Sequence, residues 1–96
     1  MSTRTRISKD TEDAIVMMAA SDVANRIRSM LAAGRSRADA GDEAKENIGP
    51  AINRWGTKYA SERWEDLNYT AAERIEARTR GAVRDLLRRR QTTRTP

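Results

Sequence analysis

The sequence predicts an all-α protein, either a three-helix bundle or an elongated helical assembly with basic N- and C-terminal tails. Two observations lead to this fold class. Apolar residues recur at spacings of three and four positions over long stretches, which is the period of an amphipathic helix rather than of a strand. Ala, the strongest helix former, accounts for 15 of the 96 residues.

One domain is expected, because 96 residues are enough for a single modest core. We place this domain at residues 11–90, between a flexible basic arm at 1–10 and a polar tail at 91–96. The N-terminal residues are polar, and no apolar run approaches the roughly 20 residues that span a bilayer. The polar N-terminus and the lack of a long apolar run predict a protein that is cytoplasmic or carried within a viral particle, without membrane contact.

The first helix is predicted over residues 11–33, with Asp10 or Thr11 as its N-cap. Gly34 is a natural stop, since Gly readily adopts the left-handed backbone that ends helices. Within the helix, apolar residues alternate at spacings of four and three, and a second apolar line runs beside them. Two lines are too wide for a two-stranded coil and favour a bundle. The main line consists of Val16, Ala20, Val23, Ile27 and Met30.

The second and third helices are predicted over residues 50–67 and 70–90. Gly49–Pro50 sets the start of the second helix, because Pro is tolerated in a first turn but not in a helix interior. Thr70 and Glu73 match a capping box, in which each side chain satisfies the other's free amide, and so mark the start of the third helix. The polar stretch before Gly49 is expected to form a loop and one short helical turn.

Bulky aliphatic side chains are scarce in this chain. Ile, Val and Leu together make up 13 of the 96 residues, and Phe is absent. This share is below the roughly 20% that is typical of a well-packed globular chain. Much of the remaining apolar content is Ala, which buries little area. We therefore expect a partner protein or self-association to complete the burial of the core.

Five large side chains are candidate anchors of the core or of a protein interface. Trp55, Tyr59 and Trp64 lie among basic residues, so stacking on nucleic-acid bases is a further interpretation. Such aromatic residues more often anchor a small core or the centre of an interface. Met17 and Met18 fit core filling better than an adaptable binding groove.

The positive charge is concentrated at the C-terminus. Residues 78–96 hold seven Arg and one acidic residue, whereas the other 77 residues sum to −1. A GC-rich genome would raise the Arg content overall but would not produce this placement. Seven Arg exceed what is needed to complement a helix C-terminus, so we predict contact with nucleic acid or an acidic protein surface. The predicted contact residues are Arg80, Arg84, Arg88, Arg89, Arg90 and Arg94.

The composition argues against an enzyme. The chain has no His and no Cys, which removes the commonest general base, thiol nucleophiles and the usual Ser and Cys triads. We predict no cofactor and no metal site. The acidic residues between positions 39 and 46 fit the start of a helix better than a cation site, because acidic groups favour the positive end of the helix dipole.

Three binding functions are consistent with these patterns. The first is a small component of a nucleoprotein or virion-type assembly, which contacts nucleic acid or an acidic surface through its Arg-rich C-terminus. The second is a compact inhibitor or adaptor, of the kind that phages and mobile elements encode, docking on a host protein. The third is a helical DNA-binding regulator. Steep salt dependence would separate nucleic-acid binding from a hydrophobic protein interface.

Overall fold

The computed structural model describes residues 7–61 and 64–92, and side chains in this part except those of 65–70 and 89–92. Three helices pack together in this part of the chain: α1 (Lys9–Ala32), α2 (Arg37–Ala60) and α3 (Trp64–Thr92). The described residues contain no strand. The predicted all-α, three-helix bundle is confirmed, while most of the predicted arm and tail, residues 1–6 and 93–96, lies outside the described residues.

Helix α1 begins earlier than predicted and ends close to where Gly34 predicted. Its N-cap is Ser8 rather than Asp10 or Thr11, because the Ser8 hydroxyl accepts a hydrogen bond of 3.1 Å from the Thr11 amide. Asp10 instead lies in the first turn, where a carboxylate complements the helix dipole. Gly34 has a φ of 92°, a left-handed conformation that suits Gly and turns the chain away from the helix.

Helix α2 begins at Arg37, so the predicted start at residue 50 is wrong. Ser36 caps this helix by accepting from the Asp39 amide at 3.0 Å. Pro50 lies inside the helix, where it removes one backbone hydrogen bond and costs about 3 kcal/mol. Four apolar residues around it are buried against the other helices, and this burial keeps the helix continuous: Ala44, Ile48, Ala51 and Ile52.

The boundary between the second and third helices lies earlier than the predicted gap at 68–69. Helix α2 ends at Ala60, and Ser61 has a φ of 52° at the reversal. Helix α3 begins at Trp64, which the prediction assigned to the preceding helix. Thr70 and Glu73 therefore lie inside α3 and do not start it. Their three-residue spacing also occurs along any helix surface, so the pattern alone does not mark a terminus.

The helices run up, down and up, so that α1 and α3 are parallel. Glu12 in α1 meets Arg74 in α3, and Arg28 meets Leu86 further along both helices. The core between them is rich in Ala, with larger buried side chains such as Ile15 and Ile75 at intervals. Small side chains allow close helix packing, which keeps the bundle thin. The bundle measures 53 × 28 × 19 Å.

The elongated shape follows from the length of the helices, since 24 to 29 residues span roughly 36–44 Å at about 1.5 Å per residue. The radius of gyration is 14.9 Å, against about 12.5 Å for a compact domain of this length. Thr79 is fully buried in the core, where its hydroxyl donates to the Ile75 carbonyl at 2.8 Å.

Among the described residues, no helix combines the length and the apolar character that crossing a bilayer would require.

Candidate functional site

The arginines of α3 fall into two groups, and the first group is bound by acidic residues of α1. Glu12 is buried and receives three hydrogen bonds: Arg74 donates at 2.7 and 3.2 Å, and Arg78 donates at 2.8 Å. Arg78 also donates to Asp13 at 2.8 Å. We call this region, together with the packing of Trp64 on Gly56, the closed end of the bundle. Here the positive charges hold α1 and α3 together.

The titration of these groups follows from the same contacts. Hydrogen bonds from Arg74 hold the pKa of Glu12 below its ordinary value, although burial opposes this shift, and Arg78 adds to the lowering. The hydrogen bond from Arg78 lowers the pKa of Asp13 in the same way. The pKa values of Arg74 and Arg78 are raised by the carboxylates. Both carboxylates are therefore ionised near neutral pH.

The second group comprises the predicted contact residues, which follow on α3. Arg80 is exposed and donates to Glu76 at 2.7 Å on its own helix. Arg84 is exposed and forms no ion pair with the described residues. Arg88 is also exposed, with Asp85 at 3.9 Å. The spacing of four puts all three on one side of the helix. Arg89 and Arg90 lie in α3 with side chains that are not described, and Arg94 lies outside the described residues.

The fold brings arginines of α1 and α2 to the end of α3, and the sequence did not predict this grouping. The opposite end of the bundle, which we call the open end, contains a groove of about 710 Å³ between the three helices. Its apolar lining includes Ile27, Leu31, Ala40 and Leu87, and three arginines stand among them: Arg28, Arg37 and Arg88. The up-down-up order explains this meeting, since the end of α1, the start of α2 and the end of α3 share one end.

Arg28 is held in the wall of this groove. Its Nη1 donates to Asn25 Oδ1 at 2.9 Å, and its Nη2 donates to the backbone carbonyl of Leu86 at 3.3 Å. The Nε atom is buried and has no acceptor among the described residues. A buried donor without an acceptor is uncommon in folded proteins.

The predicted aromatic anchors have different locations. Trp64 is a core residue: it is buried, donates to Asn53 Oδ1 at 3.2 Å and packs where a side chain on Gly56 would otherwise lie. Trp55 is half-buried and donates to Asp22 Oδ2 at 2.6 Å, and it stacks on Tyr59 with 5.8 Å between ring centroids. Tyr59 is exposed, so this pair lies at the surface.

The two methionine candidates are not equivalent. Met17 is 50% exposed, which overturns the prediction that it fills the core, whereas Met18 is half-buried. Helical spacing explains the difference, because Met17 follows two buried positions and faces away from them. The main apolar line predicted along α1 does face the core, because Val16, Ala20 and Val23 are all buried.

The described residues thus form a bundle with paired charges at its closed end and an arginine-lined apolar groove at its open end. Comparisons of the chain with protein-family models, curated proteins and solved structures found no match. Its function is therefore inferred from the geometry of its own residues.

Proposed function

We propose that this chain is a non-enzymatic helical binding protein, a small component of a nucleoprotein or virion-type assembly that contacts nucleic acid through the open end of its bundle. One observation supports the proposal above the others. Arg28, Arg37 and Arg88 converge at the end where the Arg-rich C-terminal segment of α3 finishes. These arginines come from all three helices and are far apart in the sequence.

The chemistry of arginine suits this role. A guanidinium is planar, permanently charged and able to donate two parallel hydrogen bonds to a phosphate group. Arg74 and Arg78 are already engaged by Glu12 at the closed end. Arg28 and Arg37 at the open end, by contrast, form no ion pair with the described residues. This polarity would orient the bundle on a polyanion, with its open end toward the phosphates.

A second candidate, an adaptor or inhibitor that docks on another protein, is favoured by a different observation. The open-end groove has an apolar lining, and Leu31 within it is 40% exposed. Phosphate groups gain nothing from apolar surface, whereas a protein partner would bury it. Both candidates therefore use the arginines of the open end, and the exposed aliphatic side chains are the feature that favours a protein partner.

Salt-dependent binding to labelled duplex DNA and single-stranded RNA tests the proposed function. An open-end variant, with Arg37, Arg84 and Arg88 changed to Gln, is compared with a control in which Arg26, Lys45 and Arg54 are changed to Gln. Each lost phosphate contact should reduce the slope of log affinity against log salt by about 0.9. We expect the first variant to lose about three such contacts and the control to lose fewer.

Circular dichroism should show that both variants keep the helical content of the original chain. The proposed function is wrong if the unmodified chain binds neither nucleic acid at low salt. It is also wrong if the control variant weakens binding as much as the open-end variant, because the effect would then reflect net charge rather than the open end.

A further inference from the structure

We infer that the open-end groove is a docking site for an amphipathic helix of a partner protein, one that presents Leu-sized apolar residues to the groove and carboxylates beside them. This inference goes beyond the proposed contact with nucleic acid and names the partner chemistry for the second candidate. It depends on the groove lining of Ile27, Leu31 and Leu87, which a phosphate backbone would leave unfilled.

The size and lining of the groove fit apolar side chains from outside. Its volume of about 710 Å³ is within the range of roughly 300–1,000 Å³ that is usual for binding clefts. Leu31 is 40% exposed although it neighbours the buried Ile27 on the same helix face. An incoming aliphatic side chain would cover Leu31 and Leu87 and complete the core at the point where the bundle leaves it unfinished.

Charge complementarity selects the flanking residues of the partner. Arg28, Arg37 and Arg88 line the groove, and none of its described lining residues is acidic. Arg88 has Asp85 of its own helix at 3.9 Å. Charge complementarity therefore depends on Arg28 and Arg37, which form no ion pair with the described residues. A second groove, of about 610 Å³ between α1 and α2, is different, because its arginines face acidic residues of this chain. There Arg26 pairs with Glu43, and Arg54 pairs with Asp22. The open-end groove is the one that would gain from carboxylates on a partner.

Arg28 gives a second, independent reason to expect an acidic partner. Its guanidinium stands in the groove wall, and its buried Nε lacks an acceptor among the described residues. Its two described hydrogen bonds go to neutral oxygens of Asn25 and Leu86. Because Nε is enclosed, a partner carboxylate would instead accept from the Nη1 and Nη2 groups, each of which has one further hydrogen to donate.

Three matched helical peptides test the inference by fluorescence anisotropy with the full chain. All three carry the same Leu face, and the flanking positions are Glu in the first peptide, Gln in the second and Lys in the third. We expect the Glu peptide to bind at least about tenfold more tightly than the Gln peptide, and the Lys peptide to bind most weakly. Equal binding of the Glu and Gln peptides, or no binding of any peptide, would overturn the inference.

Two variants locate the peptide on the protein. Leu31→Gln should weaken the Glu peptide by about tenfold or more, because it places an amide in the apolar groove. Met17→Gln is the matched control, since Met17 is also an exposed apolar residue of α1, at 50% against 40% for Leu31, but lies outside the groove, and it should leave binding unchanged. Equal weakening by both variants contradicts the assignment.

Duplex DNA distinguishes this site from the proposed nucleic-acid contact. Leu31→Gln should leave DNA affinity unchanged, because the substitution removes no positive charge. If Leu31→Gln weakens DNA binding while the Glu peptide binds no more tightly than the Gln peptide, nucleic acid occupies the groove, and the inference fails while the proposed function stands. If the peptide binds as expected and DNA does not bind, the inference stands and the proposed function fails.

Discussion

The closed and open ends of the bundle use the same residue types for different purposes. At the closed end, Arg74 and Arg78 are bound by Glu12, and Trp64 packs tightly over Gly56. At the open end, three arginines line a groove that contains no described acidic residue, and Leu31 remains exposed. Among the described residues, side chains therefore fill the closed end of the bundle and leave a groove at the open end.

This difference shows that the surroundings of an arginine, rather than its position in a basic run, decide what it does. Arg78 and Arg88 both belong to the C-terminal basic segment of α3. Arg78 meets two carboxylates of α1 and becomes a structural residue. Arg88 lies beside the apolar groove, where α1 offers Arg28 and Leu31. We expect substitutions at the two ends to change the stability of the protein by different amounts, because the two ends differ in their contacts.

The largest expected difference is between Ile75 and Leu31. Ile75 is fully buried, so Ile75→Ala should lower the free energy of unfolding by about 2–5 kcal/mol, through lost burial and a cavity. Leu31→Ala should cost less than about 1 kcal/mol, because the side chain is already partly in water. Urea unfolding followed by circular dichroism measures both values. Similar losses from the two substitutions would mean that the open end is as well packed as the rest.

Two glycines of α2 sharpen the comparison. A methyl group on Gly56 would overlap the indole ring of Trp64, so Gly56→Ala should destabilise the protein by about 1–3 kcal/mol. A methyl group on Gly41, at the open end, meets nothing within 4 Å. Gly41→Ala should therefore stabilise the protein by about 0.5–1 kcal/mol through helix propensity. Thermal melting distinguishes the two, and the interpretation fails if both substitutions shift the melting temperature in the same direction.

The smallest expected difference between a variant and its matched counterpart concerns the ion pairs of Glu12. Glu12→Gln should reduce stability at pH 7 by about 1–2 kcal/mol, a value lowered by the solvent exposure of Arg74 and Arg78. Asp10→Asn is the control, because Asp10 is exposed in the same helical turn, and it should have little effect. Unfolding in urea at pH 7 measures both differences.

Acid should reduce the effect of Glu12→Gln. The pKa of Glu12 is lower in the folded state than its ordinary value of 4.5. The stabilisation that ionised Glu12 provides is therefore complete above pH 4.5, and it is lost as the pH falls through the lower pKa of Glu12 in the folded state. The difference between Glu12→Gln and the original chain should narrow below pH 4.5. A constant difference from pH 7 to pH 3 would show that the carboxylate charge does not provide the stabilisation.

Several features could be predicted from the sequence because they depend on local periodicity. The seam of Val16, Ala20 and Val23 is buried, and Gly34 follows the end of α1 in a left-handed conformation. The spacing of Arg80, Arg84 and Arg88 predicted one side of a helix, which α3 provides. Each of these inferences needs only the 3.6-residue period and the conformational freedom of Gly.

The errors came from places where tertiary burial outweighs local preference. Pro50 predicted a helix start, but the burial of Ile48 and Ile52 on either side keeps α2 continuous through it. Thr70 predicted another start, although α3 already begins at Trp64, which packs over Gly56. Local propensities are worth a few kcal/mol at most, and the burial of several side chains exceeds them.

The candidate site also combines features that local sequence predicts with features that only the tertiary structure reveals. The basic C-terminal segment is evident from the sequence, whereas the partnership of Arg28 and Arg37 with Arg88 is not, because these residues are distant along the chain. Only the up-down-up packing brings the end of α1, the start of α2 and the end of α3 together.

By itself, the sequence determined an all-helical protein, because the apolar period and the Ala content act over a few residues at a time. It also determined which segment carries the excess of positive charge. The tertiary structure alone decided where the helices begin and end, which arginines are bound by Glu12 and which line a groove. These outcomes depend on contacts between residues remote in the chain, since burial and charge pairing depend on distance in space.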